Sequence, residues 1–373
     1  MKNDYFCQGV VFFLLALTLS SCSSLQSLFG SRRSTAEKID AVMQDFSAPD
    51  APGASVLVMR NDSVLFKKGY GLANLEWNMA PKATEKIPVT TTTNFRLASM
   101  TKQFTAMCIM MLHEEGKLSY DDTLSRFFDG LPGWGSIVTV KNLLNHTSGI
   151  VDYESLIPDS QTVQVHDSDV LNLVKSVDPT YFTPGSKYQY SNSGYSLLSL
   201  IVQKVSGERF ADFLKKHIFD VAGMPTSVAF EKGISTVANR AYGYSFENGM
   251  WKLTDQSSTS AVLGDGGIYT NVEELAKWYS ALFAHTLVSP ETQQLAWTRA
   301  KLNDDSLIDY GFGWHFENYR GVEHPLHGGS TMGFRNNVQV FPEQHLVVIV
   351  LTNRNEGDPI VQAHEIADLY LEK

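Results

Sequence analysis

A serine and a lysine three residues apart, Ser99 and Lys102 in the run SMTK, stand where an extended segment (residues 94–98, NFRLA) gives way to an apolar helix. Residues three apart share a helix face, so the hydroxyl and the amine can meet. Serine is a poor nucleophile until a base takes its proton, and lysine serves as that base once burial or nearby positive charge lowers its pKa. The positive end of the helix dipole pushes in the same direction, and the N–H groups there face an oxyanion formed on an attacked carbonyl. The competing structural reading makes Ser99 a helix cap, but a capping box places Glu or Gln three residues on, and Lys102 has the wrong sign for a helix start. Two further groups carry chemistry. In Tyr190-Ser191-Asn192, a phenol with lowered pKa relays protons and an amide orients a substrate carbonyl. The same Tyr-x-Asn pattern recurs at residues 269–271, where Asn271 reads as an ordinary helix cap. In His327-Gly328-Gly329-Ser330, adjacent glycines allow a substrate close to the backbone, although a turn with a surface histidine explains the same residues.

Elements from both ends of the chain must hold these groups. Residues 54–60 and 63–70 are β-rich runs about an Asn61-Asp62 turn, which predicts a hairpin. A helix is expected over residues 101–115, closed by Gly116, with Phe104, Met107, Cys108, Met111 and Leu112 inward. Helical patterns follow at residues 140–145, 194–205, 209–218 and 272–283. A second hairpin is expected over residues 338–341 and 346–352, and a last helix over residues 360–371. Strands at both ends with helices between them predict an α/β (α+β) fold: an antiparallel sheet flanked by helices, with an inserted helical domain. Residues 36–100 and 235–373 form the first part and residues 101–234 the second.

The chain has 373 residues, 43% hydrophobic and 19% charged, enough for a sizeable core. Its net charge of -10 argues against nucleic acid as a partner, since no basic run is longer than a pair such as Arg32-Arg33. Residues 10–19 form an apolar run about half the length of a spanning helix, and residues 1–21 are read as a signal peptide. Leu19-Ser20-Ser21-Cys22 resembles a bacterial lipobox. Cys22 is therefore expected to carry lipid, with residues 22–35 as the tether of an exported, membrane-anchored protein facing the periplasm or the cell surface. Of the three cysteines, that leaves Cys108 as a small core residue without a disulfide partner.

Taken together, SMTK at 99, YSN at 190 and HGG at 327 resemble the class C β-lactamase and penicillin-binding-protein group of serine hydrolases. Residues 145–149 (NHTSG), 182–185 (FTPG) and 327–353 extend the resemblance, which covers residues 40–370. It implies the β-lactamase/DD-peptidase-like fold and an acyl-enzyme reaction on amide, β-lactam or ester bonds of small molecules or D-amino peptides. It also implies Ser99 as nucleophile, Lys102 as base and Tyr190 as proton relay. Asn192, His327, Gly329 and Ser330 would contact substrate, with the Ser99 and Ser330 N–H groups as the oxyanion hole. His146 and Ser148 would be structural. Two positions depart from the pattern: His327 stands where lactamases carry lysine, and Gly328 where they carry threonine. A mostly neutral histidine suits a substrate carboxylate less well, which favours peptidase, esterase or amidase activity. Arg335 is the candidate replacement charge. No cofactor or metal is called for: G-x-S-x-G and H-E-x-x-H are absent, and His364-Glu365 has no second histidine at helical spacing. The reading from another class is a sensor or scaffold that captures a lactam or peptidoglycan peptide without turnover.

Overall fold

A computed structural model describes residues 33–75 and 86–371. The expected signal peptide, Cys7, Cys22 and most of the tether lie outside the described residues. Helix α1 (Thr35–Val42) belongs to a unit of its own, residues 1–42, apart from residues 43–373. Among the described residues no helix is long and apolar enough to cross a membrane.

The first hairpin forms as its sequence predicts. Strands β1 (Ala54–Arg60) and β2 (Ser63–Tyr70) are joined by Asn61 and Asp62, with φ of 47° and 60°. Two consecutive left-handed residues make the turn whose twist matches an antiparallel pair, and Asn and Asp tolerate that region best among non-glycines. The strands near the other end are β3 (His315–Tyr319), β4 (Val322–Thr331), β5 (Phe334–Phe341) and β6 (Leu346–Thr352). They join β1 and β2 in one antiparallel sheet of order β3-β4-β5-β6-β1-β2, with Ala54 opposite Thr352 and Arg60 opposite Leu346. Every residue of β6 (LVVIVLT) is buried, so this strand is covered on both faces. Burying each of its Val, Ile and Leu side chains contributes about 1.5–3 kcal/mol.

Between the two sets of strands run α2 (Lys102–Glu114), α3 (Val140–Leu144), α4 (Asn192–Ser206) and α5 (Val272–Phe283). Helix α2 is followed by Gly116 at φ 68°, a left-handed stop after the last turn. Asn271 caps α5 by accepting from Glu274 N, so the second Tyr-x-Asn does serve as a helix start. The stretch expected as one helix at residues 209–218 is an α-turn Phe210–Phe213 running into a π-helical Leu214–Phe219. The last helix, α6 (Pro359–Ala367), packs on β5 and β6. One apolar cluster runs from β1 and β6 through α2 and α4, with Cys108 fully buried in it.

Candidate active site

Ser99 lies in a 3-10 turn (Ala98–Thr101) directly before α2. The segment leading into it is pinned from two sides. Buried Arg96 donates to Gly266 O at 3.2 Å and to Ser260 Oγ at 2.5 Å, and Leu97 N–H donates to Ile268 O at 2.8 Å. Ala98 then sits at φ 50°, a left-handed conformation that costs an alanine about 1–3 kcal/mol. That backbone reversal leaves Ser99 partly exposed while Lys102 is 0% exposed. The capping role for Ser99 is not realised: no side chain caps either the 3-10 turn or α2.

The Lys102 amine has three neighbours: Ser99 Oγ at 3.2 Å, Asn192 Oδ1 at 2.8 Å and Asp265 O at 3.1 Å. Two of these are carbonyl oxygens, which only accept. A neutral amine satisfies both with its two N–H groups, and its lone pair then faces the Ser99 hydroxyl. Burial pushes the Lys102 amine down to about 8, against the opposing pull of Asp265 and Asp152. The arrangement therefore positions a proton acceptor against a nucleophile.

Asn192 opens α4 beside that amine. Its backbone N–H donates to Asp152 Oδ2 at 2.6 Å and its Nδ2 to Glu154 Oε1 at 3.2 Å. The NHTSG loop locks the segment before it: Ser191 N–H donates to His146 Nδ1 at 3.1 Å, and His146 itself is held at φ 58°.

Burial raises the pKa of the Tyr190 phenol, and a hydrogen bond with the Ser99 hydroxyl pulls the other way. Its hydroxyl is buried beside that of Ser99. A neutral phenol donates a proton and does not abstract one. Lys102 Nζ lies 4.9 Å from the centre of the Tyr190 ring.

On the opposite wall, β3 pairs only with residues 322–326 of β4, which leaves residues 327–331 as a free strand edge among the described residues. Ser99, Tyr190, His315, His327, Ser330 and Arg335 line one open cleft of about 610 Å³. His327 is 2% exposed. Its Nδ1 donates to Gly328 O at 2.6 Å, and its Nε2 is 3.1 Å from the Tyr310 hydroxyl, which fixes the neutral tautomer. Burial first, then His315, keeps it well below the usual histidine range, and His315 itself is lowered to about 4. This wall carries no fixed cation at position 327. Arg335 does line the cleft, but its guanidinium turns back to donate to Phe334 O at 2.9 Å and to Thr331 O.

The two glycines on β4 differ. A Cβ on Gly329 would lie 2.0 Å from Leu97 O, whereas one on Gly328 meets nothing closer than 3.6 Å. Gly329→Ala must push Leu97, and with it Ser99, away from β4. A displacement of about 1 Å at the reacting centre typically costs about 10²-fold. Gly328→Ala should keep activity within a few-fold, and kcat/KM of the two proteins, measured side by side on one p-nitrophenyl ester, tests the difference.

Sequence reasoning missed Asp265, Tyr153 and Tyr310. Asp265 is 7% exposed, accepts from the Tyr153 hydroxyl at 2.9 Å, and is pushed up to about 7 by burial, opposed by Lys102. The available signal was Gly264-Asp265-Gly266-Gly267: a Cβ on Gly264 would lie 2.3 Å from Tyr195 O, so only glycine lets this turn approach α4.

A beta-lactamase family profile matches residues 39–371. The chain belongs to the beta-lactamase family. Penicillin-binding protein 4* of Bacillus subtilis is 32% identical over 83% of this chain and 70% of its own length. Protein flp of Staphylococcus aureus is 26% identical over 86% of this chain, which spans only 63% of that relative. The crystal structure of a penicillin binding protein from Bacillus halodurans, 30% identical, superposes with a TM-score of 0.73 over 89% of this chain and 98% of its own. The mixed α/β fold is thus that of the β-lactamase and penicillin-binding-protein type of serine hydrolase, as the three motifs implied.

Proposed function

We propose that this beta-lactamase-family protein hydrolyses amide or ester bonds of small D-amino peptides or related compounds through an acyl-enzyme on Ser99. The observation that carries this reading is the Lys102 amine, buried and held by two carbonyl oxygens with its remaining valence on Ser99 Oγ. In this mechanism Lys102 takes the Ser99 proton as Oγ attacks the carbonyl. The resulting oxyanion is held by the N–H groups of Ser99 and Ser330. Tyr190, as a neutral phenol, passes its proton to the departing amine or alkoxide and regains one from the Lys102 ammonium; water then attacks the ester on Ser99, giving a proton to Lys102, and Ser99 Oγ leaves as the hydroxyl by taking that proton back. Asn192 orients the substrate amide, and His327 and Gly329 form the wall along which it lies. Export and a lipid anchor on Cys22 are part of the same proposal, because a D-amino peptide of the cell wall lies outside the cytoplasm.

β-Lactams should acylate Ser99 but leave slowly. A neutral His327 attracts the lactam carboxylate less than lysine does, which leaves the lactam acyl group less firmly placed for the attacking water. Two relatives are named for binding penicillin, which agrees with a persistent adduct. Intact-mass spectrometry after mixing with benzylpenicillin should show a one-penicilloyl increment that persists for minutes, while a p-nitrophenyl ester is turned over. Rapid return to the unmodified mass with lactam turnover would instead make the protein a β-lactamase. Persistence on every substrate would make it a sensor or scaffold.

A further inference from the structure

Where α6 meets the sheet, a second cluster of chemical groups stands beside the cleft that Ser99 lines, and Glu317 belongs to both. Glu317 on β3 and His324 on β4 are register partners, and His364 comes down from α6. One ring nitrogen of each histidine and a carboxylate oxygen of Glu317 all lie within 4.8 Å of one another. His364 Nε2 is buried, makes no hydrogen bond, and stands 3.4 Å from Glu317 Oε1. His324 is 0% exposed and faces acceptor oxygens on both sides: Gln339 Oε1 is 3.0 Å from Nε2, and Val322 O is 3.4 Å from Nδ1. Both rings are fixed by stacking, His324 on Phe341 at 4.3 Å and His364 on Tyr319 at 4.0 Å.

We infer that Glu317, His324 and His364 form a binding site for a zinc-like divalent cation that clips α6 to the outer face of the sheet. Two imidazoles and one carboxylate are an established zinc donor set. A tetrahedral ion with bonds of about 2.0–2.1 Å holds its ligand atoms about 3.4 Å apart, the spacing found between His364 Nε2 and Glu317 Oε1. Gln339 holds one ring nitrogen of His324 at 3.0 Å, the outer hydrogen bond that metal-bound histidines ordinarily make. No spacing along the chain announces this set, because its three residues come from three elements. Glu317 also lines the cleft, but the two rings of this site are His324 and His364, not the His315–His327 pair, whose rings lie 4.9 Å apart.

The test is titration of the full chain, stripped with EDTA, with zinc chloride alone. Calorimetry should give one saturable site, and the melting temperature should rise by about 5 °C at a hundred-fold excess over Kd. Cobalt in place of zinc should give visible absorption bands. His364→Ala should abolish both responses while keeping the metal-free melting temperature. Gln339→Leu should weaken binding by about 10–100-fold. His364→Gln, which keeps a side chain of similar reach, serves if the alanine variant folds poorly. No saturable site below millimolar zinc overturns the inference and leaves Glu317–His364 as an ion pair. Binding that survives His364→Ala but is lost in His315→Ala overturns it too, by placing the ion in the cleft.

Discussion

Ser99→Ala protein should gain no mass from benzylpenicillin and should lose ester turnover by ~10⁶-fold, the loss seen on removing the nucleophile of another serine hydrolase. The magnitude is large because the rest of the machinery cannot substitute. Lys102 is 0% exposed and committed to Asn192 Oδ1 and Asp265 O, so it is not free to attack a carbonyl itself. Tyr190 is buried as a neutral phenol. The substitution removes one partly exposed hydroxyl, so the melting temperature should barely change, which separates loss of chemistry from loss of fold. Intact-mass spectrometry and a stopped ester assay on the same preparation suffice. Retained turnover would show that the acyl-enzyme does not form on Ser99.

Lys102→Ala should slow acylation by ~10²–10⁴-fold, the usual contribution of a positioned base, while substrate KM changes little. It should also destabilise the protein, because Asn192 Oδ1 and Asp265 O lose a buried donor. The wild-type pH profile carries a sharper prediction. Neutral amine is the active form, so kcat/KM should rise about tenfold per pH unit below about 8 and level off above it. The negative charge of Asp265 raises the Lys102 pKa, so Asp265→Asn should move this limb to lower pH. Stability follows the same group. Its native pKa lies below the ordinary 10.5, so from about 8 to 10.5 the unfolded chain holds a proton that the folded one does not. The contribution of Lys102 to stability therefore increases with pH across that window. A flat profile from pH 6 to 9, or a Lys102→Ala protein acylated at the wild-type rate, would remove Lys102 as the base.

Local signals in the sequence carried much of the fold. Asn61-Asp62 announced its hairpin because few residues accept two left-handed positions in succession, and Gly116 announced the end of α2 for a related reason. The apolar runs at residues 338–341 and 346–352 were readable because apolar side chains must leave water wherever the chain places them, whereas the polar first half of β5, Phe334–Asn337, was not. The π-helical Leu214–Phe219 was not readable, since its extra residue per turn is imposed by packing and leaves the apolar pattern almost unaltered.

For the site, the sequence by itself determined which groups are present: a hydroxyl and an amine one helical turn apart, a phenol and an amide two residues apart, and two glycines on a strand. Only the tertiary structure decided their states. Burial from several elements together turned Lys102 into a base and raised the Tyr190 pKa, and it held His327 neutral between Gly328 O and Tyr310. It also brought Asp265 against Lys102 and His364 against Glu317 and His324, pairs separated by tens to hundreds of residues. The physical reason is one of range. Backbone conformation and helix-face spacing act over a few residues and are written in neighbouring letters. Desolvation and charge act through space, and which groups share that space is known only once the chain has closed on itself.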